Sequence, residues 1–161
     1  MERRLAAIVC ADVAGYSRLM GVDEEGTHAA FKAHRSAMYP VILNHGGRVV
    51  KNTGDGFMLE FPSVVGAMES AIASQTLMAE RNGQLPADRV MQFRLGVHMG
   101  EVMADEDDLF GDDVNIAAAL KRLPPLAAWR LRQRPTGRPA SISALPSSTP
   151  AVTASRTSSS R

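Results

Sequence analysis

Arg48-Val49-Val50-Lys51-Asn52-Thr53-Gly54-Asp55-Gly56-Phe57-Met58-Leu59-Glu60-Phe61 sets two short apolar-rich runs around an Asp-Gly turn, the strongest short-range hairpin signal available. Upstream, residues 5–12 form a continuous apolar run closed by Asp12, as expected of a strand buried on both faces. Between the two, Asp23, Glu24 and Glu25 open a helical pattern carried by Ala29, Ala30, Ala33, Ala37, Val41 and Ile42 and closed at His45-Gly46-Gly47. Pro40 lies inside that pattern and predicts a kink or a break. Downstream, Ser63 caps a second helix striped by Val64, Ala67, Met68, Ala71, Ile72 and Leu77. Residues 90–104 read as a long strand in which Gly96 and Gly100 mark bulges or a close backbone approach. An acidic turn over 105–108 and a helix over about 112–120 follow. The order strand, helix, strand, strand, helix, strand predicts an α+β, ferredoxin-like split βαββαβ fold with helices on one face of a mostly antiparallel sheet.

The charge is uneven along the 161 residues. Residues 1–120 carry 10 basic and 17 acidic side chains, a net −7, whereas residues 121–161 carry 8 basic and none acidic, a net +8. The second segment also holds 8 Ser and 6 Pro and no hydrophobic period past Leu131, which predicts a disordered tail on a domain spanning residues 1–120. With Trp129 its sole aromatic, the tail offers nonspecific electrostatics and no specific nucleic-acid site. No apolar run approaches the roughly 18 residues of a membrane span. The single cysteine, Cys10, forms no internal disulfide and lies in an apolar run, which points to the cytoplasm and to a packing role. His28, His34, His45 and His98 lack the paired spacing of zinc ligands.

Two carboxylates stand where chemistry can occur. Asp12 ends the first strand and Asp55 sits in the hairpin turn beside it; a pair of hard oxygen donors suits Mg²⁺. Val13, Ala14, Gly15 and Tyr16 follow and lead into a helical turn, where backbone N–H groups can face a phosphate. Taken singly, each residue also has an ordinary role: Asp12 as the cap of that turn, Asp55 as a hairpin residue.

Three ordered motifs carry a resemblance. Ala11-Asp12-Val13-Ala14-Gly15-Tyr16-Ser17, Lys51-Asn52-Thr53-Gly54-Asp55-Gly56, and Asp108-Leu109-Phe110-Gly111-Asp112-Asp113-Val114-Asn115-Ile116-Ala117-Ala118 together resemble the catalytic domain of class III nucleotidyl cyclases, the bacterial adenylate/guanylate cyclases in particular. The resemblance implies a homodimer with composite sites, and Asp12 and Asp55 holding two Mg²⁺ or Mn²⁺ ions per site. It implies Lys51 and Asp108 at the purine and Asn115 at the ribose. The lysine only donates and the aspartate only accepts, which matches the pairing edge of adenine and favours ATP over GTP. The implied reaction converts ATP to cyclic AMP and pyrophosphate in intracellular signalling.

The chain departs from that pattern twice. Where the family places a charge-stabilising arginine, four residues beyond Asn115, stands Ala119; Arg122 lies about 4.5 Å further along the helix. The family also continues with strands that complete the sheet and supply a lysine to the triphosphate. Here Leu123-Pro124-Pro125 opens the tail instead, as in a chain truncated or frame-shifted after about residue 119. Missing strands predict an open sheet edge and low solubility. The alternative to an active enzyme is a catalytically silent module that binds nucleotide or a partner domain.

Overall fold

The computed structural model describes residues 2–105 and 108–122, together with the backbone of 141–144. Its elements are β1 (Glu2–Val13), α1 (Tyr16–Val22), α2 (Glu24–Asn44), β2 (Arg48–Asn52), β3 (Gly56–Phe61), α3 (Val64–Asn82), a 3₁₀ turn (Ala87–Arg89), β4 (Phe93–Asp105), β5 (Asp108–Phe110), α4 (Asp112–Leu120) and β6 (Ser141–Ala144). The sheet runs β2-β3-β1-β4-β5 with every pairing antiparallel, the order expected of the split βαββαβ arrangement. Among the described residues no helix is long and apolar enough to cross a membrane.

Alternation along β1 builds two cores, because successive side chains of a strand point to opposite faces. Ala7, Val9, Ala11 and Val13 join Phe31, Met38 and Ile42 of α2, Ala67, Ala71 and Met78 of α3, and Phe93, Leu95 and Val97 of β4. Ala6, Ile8 and Cys10 instead pack with Val114 and Ala117 of α4 and with Val102 and Leu109. The helices therefore do not all share one face; α4 covers the side that α2 and α3 leave open. Gly96 and Gly100 make this possible, since a side chain at either would run into α4, at Ala117 and Asp113 respectively. Burial pushes the Cys10 thiol up to about 11, which suits packing rather than nucleophilic attack.

Other expectations need correction. The buried face of α2 is Thr27, Phe31, His34, Met38 and Ile42, rotated from the alanine stripe, because Phe and Met return more on burial than Ala. Helix α2 runs through Pro40 without a break; Pro40 and Ser36, whose carbonyl the proline leaves without its usual partner, both face solvent. Asp108 belongs to a short strand rather than the acidic turn, its residues pairing back onto Met103–Asp105. The segment after α4 does contribute one strand: Ser141–Ala144 pairs antiparallel with Leu95, Gly96, Val97 and His98. The outer edge of β4 beyond β5 presents backbone groups that recruit such a strand, so part of the expected open edge is covered. The disorder expected of the rest concerns 123–140 and 145–161, outside the described residues.

Helices α2 and α3 are joined by Arg81, whose Nε donates to His34 Nδ1 at 2.9 Å. Burial, reinforced by the Arg81 charge, holds the His34 pKa below its usual 6.5. A depressed histidine contributes stability that is complete above about pH 6.5 and drains away as the unfolded chain takes up the proton first. Urea midpoints should therefore fall between about pH 7.5 and 5.5, and His34→Gln should flatten that fall.

Candidate functional site

The face carrying α4 also carries the groups with chemistry. The register sets Asp12 opposite Gly56 on β3 and opposite Arg94 on β4. The Val13 N–H donates to the Asp55 carbonyl at 3.1 Å, so the hairpin turn is fastened to the end of β1 and the backbone at Asp55 lies next to that at Asp12 and Val13. The Asp12 side chain is only 5% exposed. Arg94 meets it as a fork, Nε to Oδ1 at 2.8 Å and Nη2 to Oδ2 at 2.9 Å, and Lys121 Nζ lies 3.4 Å from Oδ2. The Arg94 guanidinium is held above its usual range by the hydrogen bonds to Asp12 and by the charges of Asp12 and Asp55, against partial burial. Asp55 is thus within electrostatic reach of the same group.

This donor set fits a divalent cation in kind. Two carboxylates on adjacent backbone segments offer hard oxygens, and each carboxylate oxygen has two lone pairs, so the bonds to Arg94 and Lys121 leave capacity for coordination. Of the predicted phosphate cradle, two N–H groups are already engaged. Val13 bonds Asp55, and Ala14 donates to the Gln92 carbonyl at 2.8 Å. Gly15, left-handed at φ 67°, turns the chain into α1, a conformation open to glycine without strain. Val13 and Ala14 are thus engaged within the chain, so of the predicted cradle only Gly15 and Tyr16 stay candidates for facing a phosphate.

Lys51 and Asp108 are brought together. Lys51 Nζ lies 2.7 Å from Asp108 Oδ2, and that hydrogen bond, with one from the Leu109 N–H, holds the Asp108 carboxyl below its usual pKa despite partial desolvation. The two residues start from opposite edges of the sheet, with β3, β1 and β4 between them. Strand twist and coiling carry β2 and β5 over the same face.

Asn115 and Ala119 are both exposed on α4, one turn apart, and Arg122 continues that exposed stripe. The first turn of α4 is anchored by Asp113, which is 4% exposed, accepts from the Glu101 N–H at 2.9 Å and lies 2.7 Å from His98 Nε2. Sequence reading misses Arg94 and Lys121. Arg94 is a charge between Phe93 and Leu95 in a strand that otherwise reads as buried, and that is the available signal. Composition places Lys121 with the tail, although it closes α4.

The family model described as the adenylate and guanylate cyclase catalytic domain matches residues 3–123. The chain is 48% identical over 124 residues to putative adenylate cyclase 3 of Rhizobium meliloti (strain 1021), covering 76% of this chain and 21% of that protein. It is 30% identical over 127 residues to an adenylate cyclase of Streptomyces coelicolor, covering 78% of this chain and 31% of that protein. It therefore spans about a fifth to a third of these curated relatives. Among solved structures, the adenylate/guanylate cyclase/hydrolase from Silicibacter pomeroyi superposes with a TM-score of 0.74 at 31% identity, over 88% of this chain and 96% of that one. Fold, motif positions and these matches agree that the chain belongs to the adenylate and guanylate cyclase catalytic-domain family.

Proposed function

We propose that this domain binds ATP and cyclises it to cyclic AMP with release of pyrophosphate, at composite sites between two copies. The reading is supported most directly by the 2.7 Å contact between Lys51 and Asp108, two side chains drawn from opposite sheet edges to one point. Together they offer a donor and an acceptor to the adenine pairing edge; guanine presents the reverse pattern. Asn115, exposed on α4, orients the ribose of a nucleotide seated against the second copy, and Gly15 and Tyr16 face its phosphates.

Asp12 and Asp55 hold the divalent cations. When bound, two Mg²⁺ or Mn²⁺ ions supply acidity to the ribose 3′-hydroxyl and neutralise the triphosphate. In the overall reaction the 3′-oxygen bonds to the α-phosphorus, the bond to the β-phosphate oxygen breaks and the hydroxyl proton leaves. No protein nucleophile takes part. A cytoplasmic setting accords with the single buried Cys10.

Ala119, exposed where a charge-stabilising arginine is expected, favours a second reading: a nucleotide-binding module with little turnover. Purified full chain incubated with Mn²⁺-ATP or Mn²⁺-GTP separates the readings. Cyclic AMP formed in preference to cyclic GMP, with the preference reduced in Lys51→Ala and Asp108→Ala, supports the enzyme. Binding of ATP without product supports the silent module, and failure to bind either nucleotide sinks both.

A further inference from the structure

We propose that Lys121 is a counter-ion built into the cation site, one that a divalent metal must displace from Asp12; the inference rests on the reading of Asp12 and Asp55 as metal ligands. Two cations from different elements, Arg94 of β4 and Lys121 at the end of α4, converge on one buried carboxylate. A single carboxylate is neutralised by one of them. Arg94 already occupies both oxygens in fork geometry at 2.8 and 2.9 Å, the arrangement in which a guanidinium is hardest to replace.

Lys121 is the looser partner. Its contact is 3.4 Å, it reaches one oxygen, and its four-carbon stem lets the ammonium swing. It also has somewhere to go. As the C-cap residue of α4 it stands at the negative end of the helix dipole, where the last carbonyls accept a cation. Its side chain is only 15% exposed, so while it stays its charge is poorly screened. That charge also bears on Cys10, on the same face of β1.

A divalent cation approaching Asp12 therefore meets a resident positive charge, and the nucleotide-free protein binds metal weakly. The departure of Lys121 toward the α4 carbonyls ties metal loading to the helix that carries Asn115. Composition alone groups this residue with the tail; the geometry makes it a member of the site.

Binding of Mn²⁺ alone to the full chain, with free ion counted by electron paramagnetic resonance, tests the inference. Lys121→Gln and Lys121→Met remove the charge while keeping a long stem, so either one carries the test if the other misfolds. Each should bind Mn²⁺ about tenfold more tightly than the unaltered chain, the order expected for deleting a partly screened unit charge beside a cation site. Lys121→Arg, which keeps the charge, should bind Mn²⁺ no more tightly than the unaltered chain. Neutral variants that bind no more tightly overturn the inference while leaving the cation site standing, provided Asp12→Asn loses binding. Equal Mn²⁺ binding by the unaltered chain and Asp12→Asn overturns the cation site itself, and this inference with it.

Discussion

Ala119→Arg is expected to raise cyclic AMP formation from Mn²⁺-ATP by about 10²- to 10³-fold, the usual worth of one donor aimed at developing negative charge. The position suits the gain. Ala119 lies one helical turn beyond Asn115 on the exposed stripe of α4, so an added side chain meets solvent rather than core and should fold without strain. Arginine is the appropriate choice because its planar fork holds several phosphate oxygens in fixed directions, whereas lysine offers a mobile point charge. Product measured by chromatography over a fixed interval suffices. A variant no faster than the unaltered chain assigns the deficit to the sheet beyond α4, where Ser141–Ala144 is the one strand described.

Asp12→Asn should lower any cyclisation by at least about 10³-fold, since divalent-cation stabilisation of a transferring phosphoryl group is worth several kcal/mol. The same substitution acts on the fold. It removes the negative charge that separates Arg94 and Lys121, both of which contact Asp12, and leaves the two cations facing an amide. A loss of about 1–3 kcal/mol of stability is expected, the range for stranding buried hydrogen-bonding groups. Urea titration read beside the activity assay distinguishes the two effects: Asp55→Asn, at a half-buried turn position, should lose activity with little change in the urea midpoint.

The hairpin and β1 are legible because each is a local pattern, and the sheet order follows from the element order. The face of α2 is not, because Ala29, Ala30, Ala33 and Ala37 set the apparent stripe while contributing little volume. Phe31 and Met38 decide the orientation by size, and buried His34 packs edge-on against Phe93 and accepts a hydrogen bond from Arg81, 47 positions away. The position of α4 on the opposite face is equally hidden, since it depends on Gly96 and Gly100 admitting a helix rather than on any periodicity of the helix itself. Among the candidate site residues, Asp12, Asp55, Lys51 and Asp108 stand out in the sequence through motifs. Arg94 and Lys121 do not, because antiparallel register and the C-terminal reach of a helix bring them to Asp12, and neither is a property of neighbouring residues.

If Lys51 and Asp108 receive the purine as proposed, the clasp between them makes base choice a matter of exchange. An incoming purine has to pull apart a lysine and an aspartate that already satisfy one another, so its gain is only the excess of two new bonds over the one surrendered. Adenine replaces both lost halves. A base offering the wrong edge splits the pair and leaves each half facing a group of its own kind, and the molecule then does better to close again without it. On that proposal selectivity would come from the reclosing of the Lys51–Asp108 pair as much as from attraction, and it should weaken when either residue is neutralised, even though the base then has no ion pair to separate.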